Sequence, residues 1–179
     1  MKQSPGTLLA VLCLCVAVSA GAGAQSVLKS HDTYQALDIS AERLEMKQKE
    51  GRAVFKGSVN VKQGRLTLTS DTLTVFYQTD GGLENPSISR LDAEGNVTMT
   101  SETESLSGSW GIYDVDRRLL TFGGNVVLTQ GDNTLRGERL EFDLVSGLAK
   151  LDGEINGDGR VRGKFSVPTK PDGDDKGGR

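Results

Sequence analysis

Ile39 to Val59 (ISAERLEMKQKEGRAVFKGSV), Leu106 to Val126 (LSGSWGIYDVDRRLLTFGGNV) and Leu135 to Ile155 (LRGERLEFDLVSGLAKLDGEI) superimpose without a gap, each over 21 residues. Leu68 to Val97 joins them once about nine residues around Tyr77 to Asn85, with the turn signal Asp80-Gly81-Gly82, are set aside as an insertion. From the close of one copy to the opening of the next the step is always nine: 59 to 68, 97 to 106, 126 to 135. The chain is therefore an internal repeat with a period of 29 residues, and one supersecondary unit should recur four times.

That unit reads as strands. Val59/Val61, Leu66/Leu68, Leu73/Val75, Val97/Met99, Val126/Leu128 and Leu140/Phe142/Leu144 alternate with Thr, Ser, Asn, Lys or Glu. Glu50-Gly51, Gln63-Gly64, Gly131-Asp132-Asn133 and Ser146-Gly147 supply turns between them. The charged run Ala41 to Glu50 has helix propensity, but it aligns with three strand segments and is expected to be a strand too. In every copy a glycine precedes the closing residue by two, at Gly57, Gly95, Gly124 and Gly153, the expected mark of a bulge or a close backbone approach.

Within each copy the parity of the apolar positions changes. Leu68 is even while Leu73 and Val75 are odd, and Leu135 is odd while Leu140 and Phe142 are even. The change falls at Ala41-Glu42, Ser70-Asp71, Gly108-Ser109 and Gly137-Glu138. A one-residue slip would move every side chain to the opposite face, so a corner is expected there. Repeated in each copy, it bends the strands into a V with an apolar lining, an open trough. A closed sandwich filled by the same residues is the alternative that alternation alone allows.

The ends and the composition set the setting. Lys2, the apolar stretch Thr7 to Val18 and the small residues around Ala22-Gly23-Ala24 have the order of a cleavable secretory signal over residues 1–24. Cys13 and Cys15 both lie inside it, so disulfides and thiolate metal sites are not expected in the rest. With 21 Lys and Arg against 24 Asp and Glu, the net charge of −3 argues against a general nucleic-acid binder. Residues 25–167 are expected to form one domain, and 168–179, without a large apolar side chain, a solvated tail.

These segments resemble the LptA/OstA-like family, the soluble periplasmic component of lipopolysaccharide export. The resemblance rests on Gly57-Ser58-Val59 with Gln63-Gly64, on Phe122 to Gly131 (FGGNVVLTQG), and on Ala41-Glu42, Ser70-Asp71 and Gly137-Glu138, over roughly residues 36 to 160. It implies an all-β fold, a twisted open β-jellyroll with a hydrophobic groove. It also implies lipopolysaccharide as ligand, carried from inner to outer membrane. Members join end to end, and to inner-membrane-anchored and outer-membrane export components, by edge-strand pairing. The third copy departs from the pattern, with Gly111 in place of an apolar residue beside Trp110, which leaves the register there open.

The candidate lipid-facing residues are Val59, Val61, Leu66, Leu68, Leu73, Val75, Val97, Met99, Leu106, Ile112, Val126, Leu128, Leu135, Leu140 and Phe142. Arg160-Val161-Arg162-Gly163-Lys164-Phe165-Ser166-Val167 alternates as a last strand, whose Arg160, Arg162 and Lys164 are candidates for meeting a partner or for discouraging uncontrolled pairing. No catalytic group is expected: the single histidine, His31, precedes the repeats, and the acids fall at turns, corners or polar faces. Neither a metal site nor a cofactor is expected. A structural β-repeat scaffold or adhesin-like protein without a lipid ligand is the competing reading.

Overall fold

The structure is a computed structural model that describes residues 35–78, 87–153 and 158–167. The expected signal segment, His31, the expected turn at Asp80-Gly81-Gly82, Ile155 and the expected tail lie outside the described residues. Ten antiparallel strands form one open sheet: β1 Asp38–Ser40, β2 Arg43–Lys47, β3 Arg52–Gln63, β4 Leu66–Gln78, β5 Ser87–Thr100, β6 Glu104–Asp114, β7 Leu119–Gln130, β8 Asn133–Asp143, β9 Ala149–Asp152 and β10 Arg162–Lys164. Ala41 to Glu50 is a strand that closes on a single 3-10 turn at Gln48–Glu50, as the repeat alignment required. The last strand is shorter than expected, three residues instead of the alternating run from Arg160 to Val167.

The six long strands, β3 to β8, pair in chain order, each with the next. Two short strands cover each edge: β2 and β1 pair with the first and second halves of β3, and β10 and β9 with the two halves of β8. The sheet thus has two arms. Arm one comprises β2, the β3 residues up to Lys56 and their partners across to β9; arm two comprises β1, the β3 residues from Val59 and their partners across to β10.

The corner between the arms joins two features that the sequence presents separately. On β3, β5 and β7 the pairs Gly57-Ser58, Gly95-Asn96 and Gly124-Asn125 both have positive φ, from +46° to +80°. Register shifts between Lys56 and Val59, Glu94 and Val97, and Gly123 and Val126, so these strands carry one residue more across the corner than β4, β6 and β8. This is a β-bulge, and glycine tolerates its left-handed first residue. The small-acid pairs lie on the facing strands. Asn96 Nδ2 donates to Asp71 Oδ2 (2.9 Å), Ser58 Oγ to Glu42 Oε1 (2.7 Å), and Ser109 Oγ to the Gly124 carbonyl (3.1 Å). A Cβ on Gly57, Gly95 or Gly124 would collide with Glu42, Asp71 or Ser109. Glycine and small-acid pair are thus the two sides of one corner. Gly153 differs: it lacks positive φ, and its backbone packs on the Gly159 carbonyl.

Register also resolves the third copy. Gly111 faces inward between Phe122 and Val97, either of which would stand 3.4 Å from a Cβ there. Trp110 faces outward and lies over Gly123, and the Arg139 guanidinium sits 6.0 Å from its ring centroid.

Candidate functional site

Cross-strand pairing assembles the inward residues into rows that run the width of the sheet. On arm one, one row is Leu44, Phe55, Leu73, Ala93, Gly111, Phe122, Leu140, Leu151, and the next is Met46, Ala53, Val75, Leu91, Tyr113, Leu120, Phe142, Ala149. On arm two, Ile39, Val61, Leu68, Met99, Leu106, Leu128, Leu135 and Gly163 form the facing row. Between this row and the corner lie Val59, Val97 and Val126, all fully buried, alternating with Ser70, Gly108 and Gly137. The alternation of branched and small residues lets the arms approach at the fold line.

Between the arms runs an apolar cleft of ≈ 640 Å³, counting the part open to solvent. Val61, Leu66, Leu68 and Met99 line it from arm two, and Leu73, Leu91, Ala93, Leu120 and Phe122 from arm one. Leu37, Gln63 and Tyr113 continue into a second hollow at the rim, where Gln63 Nε2 donates to the Gln35 carbonyl (2.8 Å). At the far end of arm two Gln130 Nε2 donates to the buried Glu104 carboxylate (2.8 Å). The lining is thus apolar in its length and amide-edged at its rim.

Of the sequence candidates, Val61, Leu66, Leu68, Leu73 and Met99 line this cleft through their inward side chains. Val59, Val75, Val97, Leu106, Val126, Leu140 and Phe142 belong to the buried core around it, and Leu128 and Leu135 continue the half-buried arm-two row. Ile112 also borders the cleft, although it pairs with Asp92 and Thr121 in the row between Gly111 and Tyr113, whose positions face inward. Leu91, Ala93, Leu120 and Phe122 were missed although they share the odd or even parity of Val97 and Val126 on the same strands; counting back from each repeat glycine would have found them.

Arg160, Arg162 and Lys164 are exposed at the β10 edge. Arg162 Nη2 binds Asp158 Oδ2 (2.8 Å), and this contact, with the Arg160 backbone N–H, holds the Asp158 carboxyl below its ordinary range. Among the described residues no group of three or more His, Cys, Asp or Glu is placed to hold a metal ion.

Residues 38–148 match the family model of the LptA/LptD N-terminal domain, a lipopolysaccharide transport protein. The chain belongs to this family. An uncharacterized protein of Rhizobium meliloti is 34% identical over 122 residues, 66% of either chain. The lipopolysaccharide export system protein LptH of Pseudomonas aeruginosa is 26% identical over 114 residues, 63% of this chain and 65% of that one. The matches thus span just under two thirds of these relatives. The crystal structure of LptH from Pseudomonas aeruginosa, the LptA-homologous periplasmic component of the conserved lipopolysaccharide transport device, superimposes with a TM-score of 0.65 at 19% identity, over 76% of this chain and 99% of that one. The open, twisted antiparallel sheet is the LptA-like fold.

Proposed function

We propose that this chain is a periplasmic carrier that binds lipopolysaccharide by its acyl chains in the trough between the two arms, and that it hands this cargo from the inner toward the outer membrane. The observation that carries the proposal is the continuity of apolar rows across the strands, with an apolar cleft between the two arms and no second sheet among the described residues to fill it. An acyl chain of about a dozen carbons exposed to water costs on the order of 10 kcal/mol, at ~0.8 kcal/mol per methylene, and a continuous trough removes most of that penalty. Its role is carriage without chemistry, because the acids of the corners are engaged in holding the bulges.

Apolar side chains stand exposed at both edges of the sheet. Leu44 and Met46 on β2 are 50% and 55% exposed, and Phe165 beyond β10 is 66% exposed. Strand edges carrying unfinished apolar rows suit heterologous pairing with another copy or with related folds at either membrane, the arrangement that yields open filaments. Arg160, Arg162 and Lys164 would then steer the β10 edge toward an acidic face. Light scattering should show head-to-tail oligomers that grow with concentration.

Purified protein should bind a fluorescent fatty-acid analogue and release it to lipopolysaccharide. Leu68→Asp or Leu128→Asp should weaken that binding by roughly tenfold or more, while Thr67→Asp and Thr129→Asp on the opposite face should leave it nearly unchanged. Absence of probe binding in the folded protein would favour a scaffold without a lipid ligand.

A further inference from the structure

The fourth corner departs from the other three. At the first three, an oxygen from the neighbouring strand sits over the repeat glycine. At the fourth, Glu138 turns away from Gly153 and its Oε2 accepts from the Asn125 backbone N–H at 3.4 Å on β7. Gly137 and Glu138 also fall between the β8 partners of β10, which end at Arg136, and those of β9, which begin at Arg139. Among the described residues the sheet edge is notched there, and a polar cleft of ≈ 620 Å³, including its open side, fills the notch.

Arg136, Arg160 and Arg162 line it together with Glu138, Asp158 and Asn125. Arg136 and Arg162 are direct cross-strand partners, a placement of like charges that is unfavourable unless an anion lies between them. The two carboxylates of the lining already have partners within it: Asp158 pairs with Arg162 and accepts from the Arg160 backbone N–H, and Glu138 accepts from the Asn125 backbone N–H. Among the described residues neither the Arg136 nor the Arg160 guanidinium has an ion-pair partner. A net cation excess is thus concentrated in one cleft of an acidic chain.

We propose that this notch is an anion site that takes a phosphate group, held by the guanidinium forks of Arg136 and Arg160 with Arg162 behind them. Planar guanidinium groups match the oxygens of a phosphate two at a time, and a polar cleft restrains them better than an open face does. The phosphate can belong to a lipid headgroup or be free in solution. Arg136 and Arg162 stand in the outward row, and the notch shares no lining residue with the trough, so it is independent of what the trough binds.

The test is a titration of the isotope-labelled protein followed by amide resonances, with inorganic pyrophosphate in one arm and dihexanoyl phosphatidic acid, below its micellar concentration, in the other. Both should shift the amides of Val126, Val127, Arg136 and Gly137. The double variant Arg136→Gln/Arg160→Gln should weaken both by about tenfold or more. Arg139→Gln, exposed on the same strand and outside the notch, should leave them unchanged. Tighter binding of phosphatidic acid than of pyrophosphate assigns the site to a lipid headgroup, and equal binding assigns it to phosphate alone. Absence of shifts at these amides, or equal weakening by Arg139→Gln, would overturn the proposal. So would unchanged phosphate binding in a double variant that has lost self-association, since the notch would then be a protein-docking face.

Discussion

Arm one and arm two are made from the same six long strands, yet their linings differ in kind. Arm one carries Phe122, Leu140 and Phe142, large and fully covered, in rows that fill themselves. Arm two presents a nearly pure aliphatic row in which Val61, Met99 and Leu106 are buried while Leu68, Leu128 and Leu135 stay partly exposed. Along the long strands the large aromatic side chains are thus sealed on arm one, while arm two keeps part of its aliphatic row accessible. A strand that alternates uniformly from end to end conceals this division.

The largest effect expected from that contrast is on stability. Phe122→Ala should cost about 3–5 kcal/mol in urea denaturation, from the lost contacts and the cavity left behind. Leu128→Ala, partly exposed already, should cost under about 2 kcal/mol. Equal losses at the two sites would mean that arm two is packed core, and the contrast would fail.

The corner that separates the arms makes a second comparison. Gly95→Ala forces a side chain into left-handed backbone and against Asp71, whereas Gly131→Ala meets the same backbone strain in open space. Both should lose about 1–2 kcal/mol from the strain, with a further loss at Gly95 from the collision. Thermal unfolding of the two variants side by side reads the difference, and a smaller loss at Gly95 would contradict the role given to the small-acid pairs.

A subtler effect separates the ends of the arms. The turn after β8 on arm one is tied by Asp143 Oδ1, which accepts from the Val145 and Ser146 backbone N–H groups at 2.8 Å each, and these bonds hold its carboxyl below the ordinary range. A group with a depressed folded-state pKa contributes stability that is present above its unfolded pKa and is lost as the pH falls through the folded value. Asp143→Asn should therefore be less stable than wild type at neutral pH, with the gap closing below the ordinary carboxylate range. A gap independent of pH would remove the charge from the explanation.

The repeat and its corner were legible because they are stated four times. A nine-residue step and a parity change at Ser70-Asp71 or Gly137-Glu138 are local facts, and they point to strands and bend; the open sheet rested on the family resemblance as well. The cleft lining was legible only in part. Alternation locates Leu66, Leu68, Leu73 and Met99, but which side of a bulge an alternating residue falls on depends on pairing with the neighbouring strand. At Ile112 the pairing adds what alternation cannot: the inward position beside it is Gly111, which has no side chain to mark it. The notch at the fourth corner was invisible, since Arg136 and Arg162 stand 26 positions apart in sequence and meet only through the β8–β10 register.

The central claim is that lipid lies between the arms, on the inward face. Photoreactive residues placed singly at Leu68 and Leu128, and at their outward neighbours Thr67 and Thr129, test it most directly in the presence of lipopolysaccharide. The account predicts crosslinks to lipopolysaccharide from positions 68 and 128 and little or none from 67 and 129; equal crosslinking from both faces, or crosslinks from the outward pair alone, would contradict it.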